Sequence, residues 1–392
     1  MGCLQRKLKI CHICTKFPPA VSGIAKHVYE LSVLQAREGH SITILCPDDV
    51  GDVSSIPLPA NICVVKLKTF GRPLNNPITP SLLYTLWKND FDLVHAHDIF
   101  LFGTLISALL KPIRKYPLIV TQHTNMIEYN SIFKSAFQNL YLRIIGGYIF
   151  KTADKIIVHN SEKMDIFKNY TGNNFTVIPN GIHTQNYINV KLDLNEFRLK
   201  HSLKESDKVI LFVGRLAYRK GILDLVSAFN RLHKQFSDVN LLIVGDGPLC
   251  EEIRSLIKEN NIEKNVRLLG FVSFQELVHC YYLADVTVLP SLFGETQGIV
   301  TLESLICGTP IVVSNLTCFT SMLPERNMKV VDPGSQEQLQ STLSSLLRND
   351  QVLREMSVGC REFVIRNYDW DVIYLKIQNL IEEVITSQKG SE

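Results

Sequence analysis

The sequence predicts an α/β protein of two domains, each with a parallel β-sheet covered by helices. Short apolar runs alternate with longer helical patterns along the chain, which is typical of parallel sheets. The length of 392 residues exceeds one ordinary core and suits two. Hydrophobic residues make up 46% of the chain and charged residues 20%, which excludes a disordered or fibrous protein.

The first half of the chain contains seven apolar runs with the length of buried strands. They are Leu8–Cys14, Ser41–Cys46, Ile62–Leu67, Leu93–His97, Leu118–Thr121, Lys155–His159 and Thr176–Ile178. A helix is predicted over Ala25–Gly39, with the glycine as its C-terminal stop. These elements predict a Rossmann-like first domain over residues 1–185.

The pattern restarts in the second half after residues 186–207, which are polar and lack strand periodicity until Val209. That stretch is expected to connect the domains. The predicted strands are Val209–Val213, Val239–Val244, Val266–Leu269, Val286–Leu289 and Ile311–Val313. The predicted helices are Ile222–Phe236, Leu249–Asn260, Ser273–Leu283 and Val300–Ile306. A second Rossmann-like domain is therefore predicted over residues 186–365.

The net charge of +3 conceals a difference between the two halves. Residues 1–185 carry 19 Lys and Arg against 12 Asp and Glu, whereas residues 186–392 carry 22 against 26. A positive first half favours an anionic partner such as a lipid surface, although two domains can differ this much by chance. Peripheral membrane contact through the basic first domain is one prediction, and no nucleic-acid partner is expected.

Residues 132–155, IFKSAFQNLYLRIIGGYIFKTADK, mix aromatic, aliphatic and basic side chains. They predict either a helix on a membrane surface or a helix packed into the first domain. No apolar run reaches about 18 residues, the length of a membrane span. The ten cysteines are scattered and no signal peptide is recognisable at the start. A cytoplasmic location is therefore expected, extending to the inner face of the membrane.

Two glutamates, Glu295 and Glu303, stand in the stretch SLFGETQGIVTLESLICGTPIVVS between two predicted strands. Ligands of parallel sheets bind beyond the carboxyl ends of the strands, and a helix after Gly298 offers unpaired N–H groups to a phosphate. Carboxylates accept hydrogen bonds from vicinal hydroxyls, so Glu295 is expected to hold a sugar and Glu303 a ribose. The alternative is that one glutamate favours the helix dipole and the other is exposed.

A second loop, GRLAYRKG, follows the strand Val209–Val213 and places Arg215 and Lys220 beside a helix start. Two cations there suit a diphosphate, because they neutralise the charge that a leaving group gains. A solvated basic loop is the alternative. A third loop, VGDGP, allows close backbone approach at Gly245 but is also an ordinary turn. It lacks the Gly-x-Gly-x-x-Gly fingerprint, so a nicotinamide cofactor is disfavoured.

Together these loops resemble those of the retaining glycosyltransferases of family 4, which have the GT-B fold. PSLFGETQGIVTLESLICGTP matches the family's Glu-x7-Glu element, VGRLAYRKG its Arg and Lys loop, and VIPNGIHTQNY its interdomain segment. KFPPAVSGIAKHVYEL, DLVHAHD and VTQHT match its first-domain loops. The resemblance covers nearly the whole chain. It implies two doubly wound Rossmann-like domains facing a cleft, with a helix of residues 366–392 packing back on the first domain.

The resemblance also implies a role for each matching position. Arg215 and Lys220 would bind the donor diphosphate, and His123 would contact the donor sugar near the reacting carbon. The donor sugar would be bound by Glu295 with backbone N–H groups of Gln297, Gly298 and Ile299, the nucleotide by Glu303, Gly214 and Gly245, and the phosphate and acceptor by the loop of Ser22 and Gly23. The sequence ETQG replaces the commoner E-G-F-G and is similar to a subgroup that includes diacylglycerol glucosyltransferases.

The implied activity is transfer of a hexose or N-acetylhexosamine, with glucose or N-acetylglucosamine favoured, from a UDP-sugar to an acceptor hydroxyl, with retained configuration. No cofactor or metal is expected, because Arg215 and Lys220 take the place of the metal; the D-x-D of Asp369-Trp370-Asp371 is interpreted as structural. A small polyol or aminocyclitol, a lipid and a lipid-linked saccharide all remain as acceptors. The rival functions are a sugar-nucleotide epimerase of the same architecture and a non-catalytic nucleotide-sugar-binding protein.

Overall fold

The chain divides into two compact units. The computed structural model describes residues 6–20, 22–73, 76–123, 139–162, 167 and 174–389. The first unit comprises Met1–Pro179 together with Tyr374–Glu392, and the second comprises Asn180–Ile373. The domain limits expected from the sequence, after residues 185 and 365, stay predictions.

The first unit is built on a parallel sheet. Its strands are β1 (Lys9–Ile13), β2 (Ser41–Pro47), β3 (Ile62–Leu67), β4 (Leu93–His97), β5 (Leu118–Gln122), β6 (Lys155–Val158) and β7 (Phe175–Val177). They are arranged in the order β3-β2-β1-β4-β5-β6-β7, and all neighbouring pairs are parallel. The predicted parallel sheet is confirmed, and the strand ends differ from the expected ones by one residue at most.

Helices cover this sheet and connect its strands. They include α1 (Gly23–Arg37), α2 (Ser81–Lys88), α3 (Phe102–Arg114) and α4 (Gly147–Thr152), which follows a π-helical turn over Leu142–Gly146. The first helix starts two residues before the expected Ala25, because Ser22 Oγ caps it by accepting a hydrogen bond from the Ala25 N–H at 3.1 Å. Residues 132–138 of the mixed aromatic and basic stretch lie outside the described residues.

The period of two along the strands sorts the side chains onto two faces of this sheet. Val94, Ala96 and Val120 join one apolar core with other alternate residues of β4 and β5. His95 and His97 occupy the intervening positions of β4 and are fully buried on the opposite face. Strand periodicity therefore places these histidines on a single face of the sheet.

The second unit contains another parallel sheet. Its strands are β8 (Lys208–Val213), β9 (Val239–Val244), β10 (Val266–Gly270), β11 (Val286–Leu289), β12 (Ile311–Ser314) and β13 (Met328–Val331). Their order is β10-β9-β8-β11-β12-β13. The sequence did not predict β13, because its four residues place two exposed side chains, Lys329 and Val330, between two buried ones and show no alternation.

The helices described from Thr184 onward are as follows. They are α5 (Thr184–Ile188), α6 (Leu194–Lys200), α7 (Ile222–His233), α8 (Cys250–Glu259), α9 (Phe274–Leu283), α10 (Ile299–Ile306), α11 (Thr317–Thr320), α12 (Gln336–Leu347), α13 (Asp350–Ser357), α14 (Cys360–Tyr368) and α15 (Trp370–Lys389). The last helix passes from the second unit into the first at Tyr374. In the part of the chain that the structure describes, no helix combines the length and apolar character needed to cross a membrane.

The strand order of the second sheet creates a crevice where ligands of such sheets bind. Strand β8 lies between β9, which follows it in the chain, and β11, which comes later. The connection after β8 leads to β9 and the connection after β11 leads to β12, in opposite directions, so the loops after β8 and β11 lie beside each other at the carboxyl edge. These two loops carry the Arg215–Lys220 segment and the Glu295 segment.

Candidate functional site

An ion pair joins the loops after β8 and β11. The ammonium group of Lys220 donates a hydrogen bond to Glu295 Oε1, and Ser291 Oγ donates to the same oxygen at 2.8 Å. The side chains of Lys220 and Glu295 are only 14% and 7% exposed. Because the pair is shielded from solvent, its attraction is stronger than that of a surface pair. The two predicted residues are thus brought together.

Two arginines of the loop after β8 behave differently. Arg219 lies 3.4 Å from Glu295 Oε1 and also donates to the Gly294 carbonyl at 3.3 Å. Arg215 is exposed, and the described residues provide no hydrogen bond or ion pair to its side chain. Arg215 is therefore the cation of this loop that remains open to an anionic ligand.

The second glutamate, Glu303, is held by two tyrosines. Tyr187 of α5 donates its hydroxyl to Glu303 Oε1 at 2.7 Å, and Tyr281 of α9 donates to Oε2 at 2.8 Å. Both tyrosines are buried, and burial with the neighbouring carboxylate raises the pKa of each phenol. The hydroxyls therefore stay protonated and fix both carboxylate oxygens of Glu303.

The loop before α10 is fixed through the side chain of Gln297. Its Oε1 accepts a hydrogen bond from the Asn180 N–H at 2.6 Å, and its Nε2 donates to the Asn180 carbonyl at 2.9 Å. The backbone N–H groups of Gln297, Gly298 and Ile299 have no acceptor among the described residues. This helix start therefore presents donors to a ligand.

Glycine is required at two predicted positions of the second unit. Gly298 has φ +64°, and a Cβ there would collide with the ring of Phe319. Gly245 has φ +125°, and a Cβ there would collide with the carbonyl oxygen of Gly214. The loops after β8 and β9 are therefore in backbone contact, which only a glycine at position 245 permits.

Three predicted residues lie in the first unit. Ser22 caps α1 and Gly23 is its first residue, with open space where a Cβ would stand. His123 follows β5 and is 9% exposed. Its Nε2 lies 3.0 Å from His97 Nδ1 and its Nδ1 lies 3.1 Å from His159 Nε2. Both ring nitrogens of His123 are therefore engaged by other imidazoles.

The D-x-D segment is part of the framework of the second unit. Asp369 Oδ2 accepts hydrogen bonds from the backbone N–H of Thr184, at 3.2 Å, and from its hydroxyl. The next residue, Trp370, is 2% exposed. These contacts fit the structural interpretation of the segment.

Sequence reasoning missed four residues that hold the predicted ones: Arg219, Ser291, Tyr187 and Tyr281. Arg219 adjoins Lys220, so its charge was visible in the loop sequence. Ser291 is four residues from Glu295. The two tyrosines carried no local signal, because each lies far from Glu303 in the chain and only packing brings them together.

Comparison with solved structures identifies the fold. The protein matches the Anabaena protein HepE in complex with UDP over 96% of this chain and 100% of that one, with a TM-score of 0.78 and 17% identity. It matches sucrose-phosphate synthase from Thermosynechococcus elongatus over 97% and 100%, with a TM-score of 0.76 and 22% identity. The protein therefore has the GT-B fold of glycosyltransferases, as its sequence predicts.

Matches to family models and to related sequences identify the glycosyltransferase family. The model for glycosyltransferase family 4 matches residues 21–186, and that for glycosyl transferases group 1 matches residues 193–363. The phosphatidyl-myo-inositol mannosyltransferase of Mycobacterium leprae is 29% identical over 97% of this chain and 98% of the relative. An uncharacterised glycosyltransferase of Methanocaldococcus jannaschii is 29% identical over 95% and 97%. The chain belongs to glycosyltransferase family 4, and the protein is a hexosyltransferase.

Proposed function

We propose that this enzyme transfers a hexose from a UDP-sugar to a hydroxyl of a lipid acceptor, with retained anomeric configuration and without a metal. The observation that carries the proposal is the shielded Lys220–Glu295 pair at the crevice of the second sheet. The pair places a carboxylate, which can accept hydrogen bonds from sugar hydroxyls, beside a cation. Both lie next to the backbone N–H groups at the start of α10 that have no acceptor among the described residues. A nucleoside diphosphate sugar carries complementary groups, namely hydroxyls and a diphosphate.

The donor is expected to bind to the second unit. Arg215, which is exposed, receives the diphosphate, and the N–H groups of Gln297, Gly298 and Ile299 bind the donor sugar with Glu295. Glu303 accepts the ribose hydroxyls while the two tyrosines fix its position. The nucleotide approaches the backbone at Gly214 and Gly245. UDP is favoured because HepE binds UDP in a solved complex of the same fold.

The chemistry follows from charge placement. The bond between the anomeric carbon and the diphosphate oxygen breaks, and the acceptor oxygen bonds to the anomeric carbon on the same face. The departing phosphate oxygen takes the proton of the acceptor hydroxyl. Arg215 and Lys220 stabilise the charge that grows on the diphosphate, which is the task of a metal in other enzymes. No carboxylate acts as a nucleophile, in contrast to retaining glycosidases.

A surface of the first unit supports a lipid acceptor. Tyr84 and Trp87 of α2 and Ile113 of α3 are 64%, 51% and 61% exposed. Lys88 lies 5.7 Å from the Tyr84 ring centroid, and Arg114 lies 5.9 Å from that of Trp87. Aromatic side chains with flanking cations suit the interface of an anionic membrane. We call these five residues the aromatic-basic surface. The name of the Mycobacterium leprae relative, a phosphatidyl-myo-inositol mannosyltransferase, also points to a lipid acceptor.

A transfer assay tests the proposal. The purified protein is incubated with UDP-glucose, UDP-N-acetylglucosamine or GDP-mannose and with vesicles containing phosphatidylinositol or diacylglycerol. Mass spectrometry is expected to show one hexose added to the lipid, and NMR of the product a retained anomeric configuration. Glu295→Gln is expected to abolish the product, whereas Glu259→Gln, on the exposed end of α8, is the matched control.

Three outcomes would contradict the proposal in different ways. Isomerisation of the donor sugar without an acceptor would identify an epimerase. Binding of the nucleotide sugar without transfer to any lipid or polyol would identify a binding protein. Transfer to a small polyol with no transfer to lipid would leave the enzyme class intact and overturn the lipid acceptor.

A further inference from the structure

Four imidazoles of the first unit are hydrogen-bonded in series. His12 Nδ1 lies 3.1 Å from His97 Nε2, His97 Nδ1 lies 3.0 Å from His123 Nε2, and His123 Nδ1 lies 3.1 Å from His159 Nε2. We call these four residues the histidine chain. Every link joins an Nδ1 to an Nε2, so all four rings point in the same direction along the chain.

Each end of the histidine chain meets a different kind of group. His159 Nδ1 lies 3.0 Å from the carbonyl oxygen of Ile178, and His12 Nε2 lies 2.6 Å from Oε1 of Gln35. Both partners, in this orientation, are acceptors only. The series therefore contains five hydrogen bonds, three between rings and two at the ends.

A count of protons shows that the neutral chain cannot make all five bonds. Each bond needs one proton, and four neutral imidazoles supply four. Two arrangements satisfy the series. Either one extra proton makes a single ring cationic, or the Gln35 amide makes a half-turn and its Nε2 donates to His12 Nε2.

The two ends differ in their freedom to adjust. The Ile178 carbonyl belongs to backbone that is fixed by the hydrogen bond of the Ile178 N–H to the Val158 carbonyl at 2.9 Å. The Gln35 side chain can turn about its terminal bond, and its buried Nε2 has no hydrogen-bond partner among the described residues. The fixed carbonyl therefore decides the direction of the chain, and the amide adapts.

We propose that His159 and Gln35 are positioning residues that set the protonation of His123 through this chain. In the neutral state every ring carries its proton on Nδ1, so His123 donates through Nδ1 and is proton-free at Nε2. The chain takes up only one proton, shared by the four rings, and the Gln35 amide turns when it does. The relevance to catalysis rests on the proposed transferase function together with the contact between His123 and the donor sugar that the family resemblance implies.

The surroundings favour the neutral state near pH 7. His12 and His97 are fully buried, and burial lowers the pKa of His12 to about 4 and that of His97 well below its usual value. Among the described residues, the rings that face the histidine chain are His27, 4.8 Å from His123 edge-on, and His95, stacked 4.5 Å from His97. Asp98, which follows His97 in the sequence, is a buried carboxylate adjacent to the histidine chain.

NMR of protein labelled with ¹⁵N-histidine tests the inference without any assay of activity. At pH 7 the four rings of the chain are expected to show the Nδ1–H form. His40 is an internal contrast, because its Nδ1 accepts a hydrogen bond from the Leu8 N–H at 3.2 Å and its proton must therefore lie on Nε2. On acidification the four rings are expected to titrate together with uptake of one proton per molecule.

Substitution of Gln35 tests the coupling. Gln35→Glu places a carboxylate next to His12, and an opposite charge favours the protonated chain, so the shared midpoint is expected to rise by about 1–3 pH units. Gln35→Met removes both the oxygen and the nitrogen of the Gln35 amide and is expected to keep the histidine chain neutral to lower pH. In an enzyme with transferase activity, the acid limb of kcat/KM is expected to move in the same directions. His159→Gln is expected to abolish the preference of His123 for the Nδ1–H form.

Several results would overturn the inference. Nε2–H forms in the chain at pH 7, separate midpoints for the four rings, or unchanged midpoints in both Gln35 variants would each do so. A stoichiometric metal in the purified protein would also do so, since ring nitrogens of His12, His95 and His97 lie within 4.8 Å of one another and a bound metal would replace protons of the histidine chain. The expected NMR spectra without any transfer activity would instead contradict the proposed function and leave the inference about the protonation of the histidine chain intact.

Discussion

The side-chain amide of Gln297 pairs with both backbone polar groups of Asn180, the first residue of the second unit. The pair is the reason that a glutamine suits the ETQG sequence, because the commoner phenylalanine at that position can make neither bond. The start of α10 is thereby tied to the point where the chain enters the second unit. The predictions below test this link and the neighbouring contacts.

Gln297→Leu is expected to lower the free energy of unfolding of the second unit by about 1–3 kcal/mol, because the two Asn180 groups lose the amide that satisfies them. Urea unfolding followed by Trp370 emission in a Trp87→Phe background measures this loss, since Trp370 is buried in the second unit. Gln351→Leu, which removes an exposed amide bonded to Glu355, is the control and is expected to change little. Equal effects of the two substitutions would contradict the assignment.

Tyr281→Phe is expected to cost about 1.5–3 kcal/mol of stability, the usual value of a hydrogen bond to a charged group. It is also expected to weaken UDP binding, because Glu303 Oε2 loses the donor that fixes it. Calorimetric titration with UDP measures the second effect. Tyr368→Phe removes a hydroxyl bonded to the Met322 carbonyl at 2.8 Å and is the control for stability without an effect on UDP. A double-mutant cycle with Glu303→Gln should show coupling; additive effects would refute the contact's role.

Arg215→Ala and Lys220→Ala are expected to separate chemistry from folding. Arg215 is exposed and unpaired within the described residues, so its loss should change stability by less than about 0.5 kcal/mol while turnover falls by about 10²–10³. Lys220→Ala should lower both, because Glu295 loses a shielded partner. Thermal unfolding and initial rates measure the two effects, with Arg254→Ala as an exposed control. A stable Lys220→Ala with normal turnover is the contrary outcome.

Trp87→Ser combined with Tyr84→Ser is expected to reduce binding to anionic vesicles at least about tenfold, because interfacial aromatic area and its flanking cations bind the membrane together. Co-sedimentation with vesicles at two salt concentrations measures the change. Phe271→Ser, an 84% exposed aromatic of the second unit, is the matched control. Undiminished binding by the double variant would remove the aromatic-basic surface from the proposal.

Stability should respond to Glu276 with a defined pH dependence. A hydrogen bond from Lys200, together with the capping box at Ser273, lowers the pKa of Glu276 to about 2. A lowered pKa stabilises the folded state above the unfolded value of about 4.3, and the contribution is lost as the pH falls toward 2. Glu276→Gln should therefore destabilise at pH 6 and progressively less between pH 4 and 2. Urea midpoints measure this, with Glu252→Gln as control; a constant difference would contradict it.

The sequence predicted most of the framework for identifiable reasons. Buried parallel strands are continuous apolar runs, so β8 and β9 were recognisable, whereas β13 was not because Lys329 and Val330 are exposed. The helical pattern Ser273–Leu283 was also recognisable, and α9 spans Phe274–Leu283 after its cap at Ser273. The charged loops after β8 and β11 were found because parallel strands bring their carboxyl ends to one edge. Partners of Glu303 were not found, since no local pattern indicates which tyrosine reaches it.

The sequence by itself determined that two parallel sheets form and which loops carry cations and carboxylates, because hydrophobic periodicity and residue type are local properties. Only the tertiary structure decided which of those groups pair. It joined Lys220 to Glu295, left Arg215 exposed and set four imidazoles in one hydrogen-bonded series. The reason is that hydrogen bonds and ion pairs depend on distances of about 3 Å between residues far apart in the chain, and packing fixes those distances.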